Sequence, residues 1–170
     1  MSTSSSAPPA IRHLCEVPQA RAAVAAMIHA EFWADVPGAS VDGMAARLAQ
    51  AGSADALPLC RVALAGGQPV GVANLVDYDD PNPRVGRPWL AGLVVVPAWR
   101  GRGLGSRLVH TLLADARRLG ETQLFLGSDG PGFYTRLGAQ LHQQLRPDFW
   151  LLRFDLGHDL GHDLGQDLGP

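Results

Sequence analysis

Val94-Val95-Val96-Pro97-Ala98-Trp99-Arg100-Gly101-Arg102-Gly103-Leu104-Gly105-Ser106 carries an apolar run through a glycine-rich turn into the start of a helix. Upstream, Trp89 to Val96 is almost continuously apolar, the pattern of a strand buried on both faces, and Pro97 ends it. Downstream, Leu104, Leu108, Leu112 and Ala116 fall on one line with Val109 and Leu113 beside it, a helix that Gly120 closes. A strand that runs through such a turn into a helix aims free backbone N–H groups and the positive helix end at one spot, which suits a phosphate. Gly101, Gly103 and Gly105 keep side chains out of that spot, and Arg100, Arg102 and Arg107 surround it with positive charge. Two nucleotide-binding loops built on the same logic do not match. The dinucleotide fingerprint G-x-G-x-x-G counted from Gly101 ends on Ser106, and the Walker loop needs a lysine, which this chain lacks.

Outward from this stretch, Ile11 to Glu16 reads as a short strand, followed by a helix from about Gln19 to Trp33. Val24, Ile28 and either Glu31 or Phe32 lie along one face of that helix. Ser40 caps a second helix reaching Gln50, and Leu59–Ala65 and Val70–Val76 flank Gly66-Gly67-Gln68-Pro69 as a hairpin. Beyond Gly120 come a strand over Thr122–Leu126, a short helix over Phe133–Leu137, and two strands, Ala139–Leu145 and Phe149–Phe154, broken by Pro147. The order β-α-α-β-β-β-α-β-α-β-β predicts a layered α/β domain over residues 11–154.

Composition narrows the function classes. Hydrophobic residues are 46% and charged residues 18% of the 170, enough for a real core and too apolar for wholesale disorder. Four aspartates and no arginine in residues 155–170 leave residues 1–154 at +2 against −2 for the whole chain. A body so near neutral argues against nucleic acid or a membrane surface as partner. Cys15 and Cys60 cannot make a disulfide framework, and MSTSSSAPPA has no secretory pattern, so the expected compartment is the cytoplasm. Residues 1–10 and the DLGH, DLGH, DLGQ, DLGP repeat of 155–170 are expected to be disordered, with deletion of the repeat leaving stability unchanged. His158 and His162 beside aspartate sit in glycine-rich chain without fixed geometry, and His29, His110 and His142 show no paired spacing, so no metal site is expected.

Arg100, Gly103 and Gly105 match R/Q-x-x-G-x-G/A, and with Phe133-Tyr134-x-Arg136-Leu137-Gly138 on a later helix the chain resembles the GNAT superfamily of acyl-CoA N-acyltransferases over residues 11–154. The Trp33 region, the Asp-rich turn and Pro88-Trp89-Leu90-Ala91 are similar to bacterial small-molecule members. The resemblance implies a mixed, mostly antiparallel sheet between helical layers, and acetyl-CoA as co-substrate. Backbone amides of Gly101, Arg102, Gly103, Leu104, Gly105 and Ser106, beside Arg100, would hold the pyrophosphate, and Leu93, Val94 and Val95 would pair with the pantetheine arm. Tyr134 would be the general acid for the leaving thiolate, since a phenol near pKa 10 stays protonated at neutral pH, whereas Phe133 reads as core.

The general base has no strand-end carboxylate: Gly92-Leu93-Val94 and Leu126-Gly127 carry none, which leaves a water, Asp129, Ser128 or an early acidic residue. The resemblance places Glu31, Trp33, Asp35, Asp77, Asp79 and Asp80 around the acceptor groove, favouring a cationic small-molecule amine by charge and cation–π contact. A non-catalytic acyl-CoA sensor or scaffold is the alternative, and a homodimer is left open.

Overall fold

The computed structural model describes residues 7–79 and 82–157. Seven strands, β1 (Ala10–His13), β2 (Leu59–Ala65), β3 (Gln68–Val76), β4 (Trp89–Val95), β5 (Gln123–Ser128), β6 (Gln140–Arg146) and β7 (Phe149–Asp155), form one sheet in the order β1-β2-β3-β4-β5-β7-β6. Every neighbouring pair is antiparallel except β4 and β5. Gly66 and Gly67, with φ of 56° and 79°, make a two-residue turn between β2 and β3 that needs positive φ at both places. The turn is therefore tighter than the four-residue connection expected, and Pro69 enters β3 at a bulge opposite Leu64.

Helices cover both faces. α1 (Arg21–Ile28) and α2 (Val41–Leu48) lie on one side, where Val24, Ala25, Ile28 and Leu48 pack with Cys60, Val62, Val72 and Val94. α3 (Leu104–Arg118) lies on the other, its Leu104, Leu108, Leu112 and Ala116 closing over Leu59, Ala63, Ala73 and Leu75, and α4 (Pro131–Arg136) adds Phe133 and Tyr134 to the edge of that core. The alternation of β2 separates the two cores: odd positions face α3 and even positions face α1. Arg61 sits on the α3 face. Its guanidinium grips Asp115 with Nε donating to Oδ2 at 2.7 Å and Nη2 to Oδ1 at 2.8 Å, tying α3 to β2 through a carboxylate only 2% exposed.

Three expectations need correcting. The expected helix to Trp33 changes pitch at His29, where His29–Trp33 form a π-helical turn, so the apolar face ends at Ile28 while Glu31 and Phe32 are exposed. β4 is not buried throughout, because Ala91, Gly92 and Leu93 are only half-buried along its middle. The flanks expected to be disordered begin inside the fold. Ala10 pairs with Leu64, Arg107 donates to the Pro9 carbonyl at 3.0 Å, and buried Leu156 donates its N–H to Thr122 O at 2.9 Å. Deleting the chain from Asp155 therefore removes a docked leucine as well as the repeat. The rest of both flanks, residues 1–6 and 158–170 with His158 and His162, lies outside the described residues, as do Asp80 and Pro81. Among the described residues no helix is long and apolar enough to cross a membrane, and no group of three or more ligating side chains could hold a metal.

Candidate functional site

β4 and β5 part from each other almost at once. They pair at a single register point, Trp89 against Phe125, where Phe125 N–H also bonds to Pro88 O at 2.9 Å. Fully buried Trp89, whose indole N–H is held by Gly86 O at 2.8 Å, packs its ring 5.8 Å from that of Phe125 at this closed end. Beyond it β4 carries one extra residue relative to β3: Val72 opposes Val94 while Asn74 opposes Ala91. The bulge turns on Gly92, at φ 57°, where an added Cβ would lie 3.0 Å from Asn74 Nδ2. Bending β4 here widens the gap toward its C-terminal end.

That gap opens into a cleft of about 540 Å³ lined by Leu93, Val94 and Val95 on the strand, Arg100, Gly101, Gly103, Leu104, Gly105 and Ser106 on the loop, and Phe133, Arg136 and Leu137 on α4, with Glu31 and Trp99 at its margin. Gly103 (φ 77°) precedes α3 in the left-handed conformation and no side chain caps the helix. The first intrahelical bond runs from Arg107 N–H to Gly103 O, so the N–H groups of Leu104, Gly105 and Ser106 have no partner within the helix. Three amides, a helix of 15 residues behind them and Arg100 and Arg136 beside them make an anion cradle. The other two loop arginines do not line it: Arg107 reaches Pro9, and Arg102 stacks on Trp99 at 5.0 Å. Sequence reasoning missed Arg136 and Leu137 as lining residues although both stand in the FYxRLG segment, and placed Phe133 in the core. Phe133 does both, packing against the main core while its ring closes on Gly105, where an added Cβ would meet it at 3.3 Å.

Tyr134 follows on α4, half-buried, its ring edge-on to Phe133 at 4.9 Å. Burial, with a smaller contribution from the Asp129 charge, pushes its phenol up to about 12. Asp129 is exposed. The Ser128 hydroxyl accepts from Gly130 N–H at 2.9 Å.

The acidic groove residues do not come together on one wall. Glu31 lines the cleft and pairs with Arg100 at 3.6 Å, while Arg100 Nε donates to Val95 O at 2.8 Å. Asp77 is held by Arg87 at 2.7 Å, and Asp79 accepts from Asn82 at 3.1 Å within the β3–β4 connection. Trp33 lies elsewhere, in a separate pocket of about 300 Å³ between the π-helical turn and α2, with the Arg47 guanidinium 5.7 Å from its ring centroid. Asp80 is outside the described residues.

Residues 25–139 match the model of the acetyltransferase (GNAT) family. No curated protein matches the chain. Among solved structures, an aminoglycoside 6'-N-acetyltransferase complexed with coenzyme A is 16% identical, with 88% of this chain and 98% of that one covered and a TM-score of 0.68. YhbS, a GNAT family N-acetyltransferase from Escherichia coli in complex with CoA, is 21% identical over 92% and 86% of the two chains, with a TM-score of 0.66. YncA from Salmonella typhimurium, with its cofactor acetyl-CoA, is 19% identical over 93% and 99%, with a TM-score of 0.64.

Proposed function

Because the chain belongs to the GNAT acetyltransferase family, we propose that it transfers the acetyl group of acetyl-CoA to the primary amine of a small molecule. The observation that carries this reading is the cleft itself, a splayed strand edge leading to uncapped helix amides. The amides of Leu104, Gly105 and Ser106, with Arg100 and Arg136, would hold the pyrophosphate, and the open edge of Leu93–Val95 would pair with the amide-bearing pantetheine arm as with an added strand. The fold's likeness to aminoglycoside 6'-N-acetyltransferases supports a small amine as acceptor, and its likeness to proteins seen with CoA or acetyl-CoA supports the co-substrate.

In the reaction the acceptor ammonium, with pKa near 10, first sheds a proton. Among the described residues Glu31 is the carboxylate on the cleft lining, and Arg100 already engages it, so we assign that proton to water. The amine lone pair attacks the thioester carbonyl, a C–N bond forms, and the C–S bond breaks. Tyr134 donates the hydrogen bond, and then the proton, that the departing thiolate takes up, and the second proton lost by the attacking nitrogen restores the phenol. The products are the acetamide and free thiol, with one proton released to solvent overall. Of the acidic residues expected around the acceptor, Asp77 and Glu31 are ion-paired, and the charge the acceptor carries is left to the amine panel. The test is a thiol-release assay on a panel of amines, alongside calorimetric titration with acetyl-CoA. Turnover of an amine supports the reading. Acetyl-CoA binding with no amine turned over would favour the sensor.

A further inference from the structure

Arg100 makes two contacts inside the cleft, and both are with groups on its lining. Val96 N–H bonds to Val70 O in β3, so the preceding residue, Val95, turns its own N–H and C=O to the other edge of β4, the one that faces the gap. No strand of the described chain reaches that carbonyl, because β4 and β5 meet only at Trp89 and Phe125. Arg100 Nε takes it instead, at 2.8 Å. The Nη2 end of the same fork lies 3.6 Å from Glu31 Oε2, on the π-helical turn. One guanidinium thus occupies an orphan acceptor of the splayed strand and a carboxylate at once. The pair is open to water, its side chains 53% and 46% exposed, so its strength is modest and an arriving anion can compete with it.

We propose that Arg100 and Glu31 form a latch that sets how readily the spent co-substrate leaves, with Glu31 as the protein's own stand-in for the pyrophosphate. The inference rests on the transferase reading and adds the step that ends a turnover. A pyrophosphate carries more than one negative charge and several acceptor oxygens, so it draws the guanidinium edge away from a single half-exposed carboxylate. As Arg100 turns to it, the Val95 carbonyl is freed for an amide N–H of the pantetheine arm. The exchange makes and breaks no covalent bond. When CoA departs, Glu31 takes the guanidinium back and replaces the phosphate contact that is being lost. The freed Glu31 leaves the assignment of the reacting proton unchanged. It stands by Arg100, next to the pyrophosphate cradle, whereas the thioester lies at the far end of the pantetheine arm.

The experiment measures CoA affinity by calorimetry and CoA release by stopped flow, for the wild-type chain, Glu31→Gln, Arg100→Gln and the double variant. Glutamine at position 100 is a residue that the R/Q-x-x-G-x-G/A pattern admits, and it removes the charge for which Glu31 competes. Glu31→Gln is expected to bind CoA about three- to fivefold more tightly, with the gain in a slower off-rate. In the Arg100→Gln background the same substitution should alter affinity by less than about 1.5-fold. Equal or weaker CoA binding in Glu31→Gln would overturn the latch while leaving the transferase reading intact. A gain that persists undiminished in Arg100→Gln would also overturn it, by assigning the effect of Glu31 to repulsion of the phosphates through space. Absence of CoA binding to the wild-type chain would overturn both readings.

Discussion

The cleft between β4 and β5 and the pocket between α1 and α2 lie on either side of one π-helical turn, yet they are built from different materials. The cleft is made of main chain: the edge of β4, a bulge at Gly92, a left-handed Gly103 and three uncapped amides. The pocket is made of side chains, an indole, a guanidinium and an imidazole. Main-chain geometry constrains which residue types can stand at a position, whereas a side-chain pocket leaves sequence spacing almost unmarked. The two regions should therefore respond to opposite kinds of mutation.

The hardest test of that contrast is Tyr134, the side chain proposed to protonate the departing thiolate. Tyr134→Phe is expected to lower kcat by about 100-fold or more while the calorimetric affinity for acetyl-CoA stays within about twofold. With the phenol pushed up to about 12, the wild-type rate should rise with pH as the acceptor amine deprotonates and show no falling limb from Tyr134 below about pH 10. A kcat unchanged in the phenylalanine variant would remove the tyrosine from the mechanism.

Next in size is the anchor of the cleft helix. Asp115→Asn leaves the Arg61 guanidinium facing a neutral amide, at a cost of about 3 kcal/mol, or roughly 6–12 °C in melting temperature for a chain of this length. Burial alone would raise the Asp115 carboxyl, but the Arg61 hydrogen bonds and charge outweigh it and hold the group below the ordinary aspartate value. Burial, aided by the Arg61 charge, also lowers His13. Both shifts mean that the unfolded chain binds more protons than the native one as the medium acidifies, so stability rises with pH. Urea unfolding across pH 3 to 8 should therefore show stability falling first below about pH 6.5, as His13 begins to protonate in the unfolded chain, and again below about pH 4, as Asp115 does. The second fall should be shallower in Asp115→Asn, where Glu16, also held low by its hydrogen bond from Arg12, still contributes.

A paired substitution gives the smallest effect and the sharpest separation. Gly103→Val places a β-branched residue at φ 77° and should weaken acetyl-CoA binding about 30-fold, through backbone strain and a side chain beside the cradle. Trp33→Ala, in the separate pocket, should leave that affinity within about twofold. If Trp33→Ala weakens acetyl-CoA binding as much as Gly103→Val does, the two regions are a single site and the contrast fails.

The same difference explains what the sequence disclosed. Gly101, Gly103 and Gly105 after an apolar strand, and the later FYxRLG segment, pointed to the cleft, the sheet and its helical layers because only certain residues permit those turns. The α1–α2 pocket stayed hidden because a 3.6-residue period carries Glu31 or Phe32 onto the Val24–Ile28 face, and no residue type announces the widening at His29 that moves them off it. The ion pairs among the acidic groove residues stayed hidden for a related reason. Glu31 is neutralised by Arg100 and Asp77 by Arg87, and the partners of such pairs are set by folding and not by spacing. Arg61 and Asp115, 54 positions apart, left no trace in the sequence at all.

The lone bridge between β4 and β5 has a mechanical consequence. The sheet consists of two panels, β1 to β4 and β5 with β7 and β6, stitched at Trp89 and Phe125 and free to spread beyond that stitch. On the proposed reading, the pantetheine arm is the thread that closes the open seam, so the bound state is a more complete sheet than the chain can build alone. Acetyl-CoA should then slow amide exchange on both banks of the seam, along Ala91–Val95 and Leu126–Ser128, while the amides beside Trp89 keep the protection they already have.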